Sequence, residues 1–377
     1  MTFFEPLVQN LLSMFQDGSW WKLMTMWVIG GVLIFLAIKK EMEPSLLLPI
    51  GFGAILVNLP GLSDGLHNLT FIYEIGVKSQ ELLPLILFIG IGAMIDFGPL
   101  LSNPKLMLFG AAAQFGIFFT FAMAGLCGFE LCDAASISII GAADGPTSIV
   151  VAQELGSKYL PAIIVAAYSY MALVPIIQPP IIKLLTTKKE RKIRMPYAPQ
   201  SVSKLTRILF PILATVITGI IAPDSVELIG FLMFGNLIRE CGVLNSLSET
   251  AQNVLANLVT LFLGITVAVG MKAEAFLTWE TLLILGLGLV AFIFDTAGGV
   301  LFAKFLNLFI RKNKINPMIG AAGISAFPMS ARIVHKLGRE EDSQNFLLPH
   351  AIGVNVSGQV ASVVAGGLML HLVSGLL

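Results

Sequence analysis

Hydrophobic and polar positions along this chain fall into long blocks. Apolar blocks occupy 23–38, 45–59, 82–96, 106–128, 134–152, 159–182, 205–222, 225–242, 250–271, 280–310, 317–335 and 346–376. A helix needs about 20 mainly apolar residues to cross a bilayer. The pattern therefore predicts an all-α polytopic membrane protein with about 10–12 hydrophobic segments. Two blocks are interrupted: 45–59 by Pro49, Gly51 and Gly53, and 82–96 by Pro84, Gly90 and Gly92. Such segments read as re-entrant or steeply packed.

The blocks also repeat. "IGAADGPTSIVVAQELG" (140–156) echoes "IGAAGISAFPMSARIVHKLG" (319–338), each running Ile-Gly-Ala-Ala, a proline, a serine and a short helix ending in Leu-Gly. Each copy is followed by an apolar stretch in which a proline precedes a polar cluster, "YLPAIIVAAYSYM" (159–171) and "FLLPHAIGVNVSG" (346–358). Inverted repeats with broken helices are the architecture of many secondary transporters, with the site at the repeat interface. The expected organisation is N-terminal membrane segments (1–81), a first repeat (82–185) broken at 141–148, a basic cytoplasmic loop (186–204), and a second repeat (205–377) broken at 320–330 and 353–358.

Composition excludes a soluble domain. Hydrophobic residues make up 56% of the 377 and charged residues 12%, with mean hydropathy +0.86; soluble proteins carry about 25% charge. Lys and Arg (23) balance Asp and Glu (23), so there is no nucleic-acid footprint. The basic loop 183–204 and the "RKNK" at 311–314 are separated by four candidate spans and can share the cytoplasmic side. Lys39 and Lys40 fit that orientation if one intervening segment does not cross. The first block, between Trp20–Trp21–Lys22 and Lys39–Lys40, reads as a retained helix. Cys127, Cys132 and Cys241 have no zinc or redox spacing. No Walker or dinucleotide motif is present.

The candidate chemistry begins at Asp144. A charge at the bilayer centre costs about 2.5–3.5 kcal/mol on insertion scales. Gly145 and Pro146 break the helix beside it, and Thr147 and Ser148 add hydroxyls. A carboxylate, hydroxyls and freed carbonyls make a hard-oxygen site suited to Na⁺ or H⁺. Asn355, Ser357 and Gln359 cluster around Gly358, and a second break there would face Asp144. Tyr168 and Tyr170 point to different sides of a helix, so only one should face a cavity; Tyr170 is the expected one. Asn316, Gly320, Ser325 and Arg332 form a further constellation, in which Arg332 either snorkels to the surface or binds an anion. Asp96 and Asp295 each precede a helix-breaking stretch and read as second ion ligands or helix ends. His350 reads as a packing residue before a proton carrier.

Taken together, "GAADGPTSI", "AAYSYMALVPIIQPP", "TAGGVLFAK", "NPMIGAAGISAFPMSAR" and "HAIGVNVSGQ" resemble the β subunit of sodium-translocating, biotin-dependent decarboxylases of oxaloacetate, methylmalonyl-CoA, glutaconyl-CoA and malonate. The resemblance runs over nearly the whole chain. It implies a subunit in the bacterial cytoplasmic membrane that decarboxylates carboxybiotin, consumes a proton and drives Na⁺ outward. Na⁺ and carboxybiotin are the implied small molecules. The implied partners are a biotin carrier, a carboxyltransferase α subunit, a small γ/δ membrane anchor, lipid, and further β copies. The family's functional residues match Asp144, Tyr170, Asn316, Gly320, Ser325, Arg332 and Asn355 in this sequence. On that basis Asp144, Asn355 and Thr147 are expected to hold Na⁺, and Tyr170 and Ser325 to line the sodium and proton route. Arg332 and Asn316 are expected to serve carboxybiotin, with Gly145, Pro146, Gly320, Ser357 and Gly358 shaping the breaks. Val354 stands where the family pattern has a proline. The parent acid is not touched by such a subunit and is not readable here. A plain sodium-coupled carboxylate or sodium/proton carrier is the alternative; it would not depend on a biotinylated partner.

Overall fold

In the computed structural model the described residues are 20–41, 44–60, 66–79, 82–196, 202–221, 223–310 and 313–376. The start "FEPLVQ", part of the basic loop (197–201), and Arg311 and Lys312 lie outside them. The described residues are helices and short connections, without strands. The principal helices are α1 (Trp20–Lys40), α2 (Pro44–Val57), α3 (Leu82–Met94), α4 (Met107–Ala113), α5 (Phe115–Leu126), α6 (Leu131–Ser138), α7 (Gly145–Glu154), α8 (Leu160–Leu185), α9 (Lys204–Ile221), α10 (Val226–Glu240), α11 (Ala256–Val267), α12 (Trp279–Phe309), α13 (Met329–Glu341) and α14 (Leu348–Ser374).

Six helical stretches are long and apolar enough to span a membrane: α1, Pro104–Leu126, α8, Asn245–Met271, α12 and α14. His67–Lys78 with α3 makes a seventh if that pair, bent by 63°, counts as one span. The other apolar blocks form shorter helices such as α2 and Leu131–Ala142. Large apolar side chains lie exposed where lipid would cover them; on α9 these include Leu205 (66%), Leu213 (53%) and Ile220 (77%). The protein is an all-α, multi-pass membrane protein.

The helices form two groups. α1 packs on α2, α2 and α3 on α11, and α3 and α9 on α10. The C-terminal carbonyls of α3 and the residue after it, left without partners by the end of the helix, accept from α10: Asn236 Nδ2 donates to Ile95 O (2.9 Å) and Arg239 Nη1 to Met94 O (2.7 Å). The second group contains α4–α8 and α12–α14, and one sequence of elements occurs twice in it. A long helix (104–126, then α12) leads to a broken segment (131–154, then 317–341) and another long helix (α8, then α14). The two leading helices run antiparallel: Ala112 lies against Gly298, Gly116 against Asp295 and Ala291, and Phe119 stacks on Phe294 at 4.0 Å. The leading helices of the two copies thus have opposite directions.

The breaks differ in kind. In the first copy a 3₁₀ turn, Ile139–Ala142, ends at Ala143, which is left-handed (φ 52°, ψ 43°), and α7 starts after Asp144. Pro146 sits in the first turn of α7, where its missing N–H costs nothing. In the second copy a 3₁₀ segment, Pro317–Gly323, gives way to extended chain at Ile324 and a cis Phe327–Pro328 bond before α13. The further break expected at 353–358 is absent, because α14 is a single 27-residue helix. Its only proline, Pro349, lies in the first turn, so no N–H is missing from the ladder further on. Gly353 and Gly358 serve close packing instead, against Leu106 and against the carbonyl of Gly323.

At one end the helices meet a charged rim. Arg191 pairs with Glu341 (2.6 Å), Arg194 with Asp342 (2.6 Å), Lys183 with Glu340 (3.8 Å) and Lys304 with Glu190 (3.2 Å). The Arg191 guanidinium holds the Glu341 carboxyl below its ordinary range, and Arg194 does the same to Asp342. The Arg191 and Arg194 pairs strap the loop after α8 to the end of α13, Lys183 ties α8 itself to α13, and Lys304 ties the loop to α12.

Candidate cation site

The two breaks cross each other. The backbone N–H of Ser325 donates to Ala142 O at 2.9 Å, joining the second break to the first one residue before the left-handed turn. That turn sets Asp144 at the head of α7, where Oδ1 accepts the N–H of Thr147 (3.2 Å) as a cap. Oδ2 faces the other copy and accepts from three side chains: Ser362 Oγ (2.6 Å), Ser325 Oγ (3.0 Å) and Gln359 Nε2 (3.1 Å). Asp144 is 3% exposed. All four donors are neutral, and none of the ion pairs among the described residues includes Asp144.

A cavity of about 220 Å³ opens beside this carboxylate, between the two groups of helices. Asp144, Tyr168, Ser325 and Gln359 line one wall; Ser45 of α2 and Asn257 and Thr260 of α11 line the other. Thr147 Oγ1, Tyr168 Oη and Asn355 Oδ1 are buried here or close by without hydrogen-bond partners. A hydroxyl that donates to an empty carboxylate can turn its lone pairs to a cation. The donor set (carboxylate, three hydroxyls, amide oxygen) is all hard oxygen and suits an alkali cation.

Against the regions 22–373, the chain matches the family model described as the Na⁺-transporting oxaloacetate decarboxylase beta subunit. The chain belongs to this family. It is 47% identical to the glutaconyl-CoA decarboxylase subunit beta of Acidaminococcus fermentans, over 98% of this chain and all of the relative. It is also 47% identical to the methylmalonyl-CoA decarboxylase subunit beta of Propionigenium modestum, over 97% of this chain and all of the relative. A probable oxaloacetate decarboxylase beta chain of Vibrio cholerae is 45% identical, over 98% of this chain and all of the relative.

Among the family-matched positions the structure brings Asp144 and Ser325 into direct contact, with Thr147 and Gly145 alongside. Gly145 lies against the ring of Tyr168, where a side chain does not fit. Asn355 stands apart from the carboxylate. Its Nδ2 donates to Ala322 O (3.1 Å) and Ile324 O (2.8 Å), so it shapes the second break and leaves Oδ1 free. The tyrosine expectation is reversed: Tyr168 lines the cavity, while the Tyr170 hydroxyl donates to Leu285 O on α12. Spacing puts the two tyrosines on different sides of α8 without saying which side faces the cavity; the packing of α8 against α12 decides it.

Asn316 is not placed to serve carboxybiotin. It is fully buried, its Nδ2 donates to Arg191 O and Ile193 O (both 2.9 Å), and its Oδ1 accepts the Met318 N–H (3.1 Å), which leaves it occupied as a brace. Gly320 packs against Gly299 of α12, and Ser357 Oγ donates to Leu106 O (2.9 Å) or Val354 O (2.7 Å). Arg332 is exposed, one turn beyond Pro328 of the cavity wall, so it neither lines the cavity nor touches Asp144. Asp96 caps the next turn, accepting Gly98 N–H (2.8 Å), and faces Arg207 (3.5 Å) at the surface. His350 occupies the first turn of α14.

The sequence reading placed Gln359 in the cluster facing Asp144 but left Ser362 out, although Ser362 is the donor nearest the carboxylate. The missing signal was periodicity. Asn355, Gln359 and Ser362 fall at i, i+4 and i+7, one face of an unbroken helix. Reading a break at 353–358 hid that face.

Proposed function

We propose that this chain is the membrane subunit of a sodium-transporting, biotin-dependent decarboxylase in the bacterial cytoplasmic membrane. Its cargo is Na⁺ and its reacting substrate is carboxybiotin on a carrier protein. The carboxyltransferase and a small membrane anchor complete the complex. The observation that carries the reading is Asp144, a buried carboxylate without a cationic partner, held at the crossing of two broken segments by neutral donors alone. Such a group costs free energy until a cation reaches it, and membership of a Na⁺-transporting family supports Na⁺ as that cation.

In this scheme the Asp144 carboxylate binds Na⁺ with the hydroxyls of Ser325, Ser362 and Thr147 and the amide oxygen of Gln359. The hydroxyl protons turn away from Oδ2 as the ion enters. The carboxylated carrier meets the exposed start of α13, where the Arg332 guanidinium attracts the carboxylate. Decarboxylation breaks the N–CO₂⁻ bond, releases CO₂ and places one proton on the ring nitrogen. Two states with different Na⁺ affinity are required for this chemistry to drive transport. Purified complex in sealed vesicles tests the reading: Na⁺ uptake driven by the parent acid should be abolished by avidin and by Asp144→Asn, with the variant's helical content unchanged. Avidin-insensitive Na⁺ uptake would refute it in favour of a plain sodium carrier.

A further inference from the structure

A second carboxylate lies inside the membrane core and takes no part in the site above. Asp295 is near the middle of the 31-residue helix α12 and is fully buried. Its Oδ1 accepts the N–H of Gly116 in the first turn of α5, just after the interruption at Gln114. That turn has no side-chain cap of its own, so Asp295 supplies one from another helix. Oδ2 has no hydrogen-bond partner. It is turned to Gly141, in the 3₁₀ turn that precedes Asp144: a Cβ on Gly141 would stand 2.7 Å from Oδ2 and 2.6 Å from the Ala291 side chain.

Nothing in the surroundings neutralises a charge on Asp295. α12 packs against α4, α5, α6, α8, Ile139–Ala142 and Pro317–Gly323. The titratable groups on those elements are engaged elsewhere or lie apart. Asp133 of α6 accepts from Ser157 (2.7 Å) and faces Lys158 (3.6 Å), and Cys132 of α6 is a free thiol. On α8, Tyr170 binds Leu285 O, Tyr168 lies against Gly145, and Lys183 faces Glu340. α4, α5 and the two 3₁₀ segments bring no titratable side chain. An unpaired carboxylate at this depth is strongly disfavoured. Na⁺ with a shell of oxygen ligands needs volume at Oδ2, and the Gly141 backbone occupies it. A proton needs none.

We propose that Asp295 is a proton-binding carboxyl of the membrane core, distinct from the Asp144 site, which holds H⁺ on Oδ2 while the Gly141 turn is packed against it and exchanges that proton when the turn withdraws. The step is COOH ⇌ COO⁻ + H⁺, with the proton passing to water admitted by the withdrawn turn. The carboxylate left behind is held by the Gly116 N–H at the positive end of α5. Because the same turn leads into Asp144 three residues on, movement of the first break changes both sites together.

The inference stands apart from sodium and biotin chemistry, and so does its test. Infrared difference spectra of the full chain in lipid nanodiscs at neutral pH, in H₂O and D₂O buffer with Na⁺ present, read protonated carboxyls directly. The expected result is a carboxylic-acid C=O band that shifts in D₂O, is lost in Asp295→Asn and persists in Asp144→Asn. A band that survives unchanged in Asp295→Asn, or one that never exchanges in D₂O, overturns the proposal. If Asp295→Asn fails to fold by circular dichroism, Asp295→Glu takes its place; there the band must move, and an unmoved band overturns the proposal equally.

Discussion

Ser362 is the sharpest probe of the cation site, because its hydroxyl is the donor nearest the Asp144 carboxylate. Its hydroxyl meets Asp144 Oδ2 at 2.6 Å and Ser325 Oγ at 3.1 Å. Ser362→Ala removes one of three side-chain donors from Oδ2 and one oxygen from the ligand set. A hydrogen bond to a charged group contributes about 1.5–3 kcal/mol. Only part of that appears in Na⁺ affinity, since the hydroxyl exchanges a bond to the carboxylate for a bond to the ion. A net loss of about 1.4 kcal/mol corresponds to roughly tenfold weaker binding.

The assay is the Na⁺ concentration for half-maximal decarboxylation by purified complex. Ser362→Ala should raise it roughly tenfold, and Ser362→Thr, which keeps the hydroxyl, should largely restore it. Ser357→Ala is the control. That hydroxyl lies on the same helix but serves Leu106 O and Val354 O, so its loss should cost stability and leave the sodium requirement within about twofold, well under the 1.4 kcal/mol of a tenfold change. Equal sodium requirements for Ser362→Ala and Ser357→Ala would refute a direct role of Ser362 in the cation site.

The two tyrosines should separate in the same assay: Tyr168→Phe alters the sodium requirement, whereas Tyr170→Phe loses the bond to Leu285 O and costs about 0.5–1.5 kcal/mol of stability with the requirement unchanged. Asn316→Ala strands the carbonyl of Ile193, leaves Asn345 Nδ2 as the remaining side-chain donor to Arg191 O (2.8 Å), and should destabilise the chain by about 1–3 kcal/mol in thermal unfolding, with the carrier's KM unaltered in the protein that remains folded. The rim should loosen in acid. The carboxyls of Glu341 and Asp342 are held down by Arg191 and Arg194, so their contribution is complete above the ordinary carboxylate range of about 4 and is lost as pH falls through the depressed values. Limited proteolysis after α8 with an acid-active protease should accelerate only below that range, and at neutral pH, with a neutral-active protease, an equal rate in an Arg194→Gln variant and in wild type would contradict the strap.

Legibility differed between the two sides of the site for a physical reason. The Asp144 side is local: a carboxylate, Gly-Pro and hydroxyls within five residues carry the break, the cap and most of the chemistry, and "GAADGPTS" displays them in order. The opposite side is a helix face. Asn355, Gln359 and Ser362 are seven residues apart end to end and become neighbours only if the helix continues between them. Glycines at 353 and 358 argued for a break when taken as flexible points. In the folded chain they are close-approach points, with Gly358 packed on the carbonyl of Gly323, two residues before the same crossing. Local sequence cannot distinguish those uses, because the atom that demands the glycine comes from a segment 35 residues away (358 − 323). The same blindness covered Asp295, whose capped turn lies 179 residues earlier. What sequence carries poorly in this fold is the content of its crossing point, where two antiparallel copies satisfy each other's broken ends. That is also where Asp144 and Asp295 reside, so the residues hardest to pair from sequence are the ones whose variants will discriminate most between mechanisms.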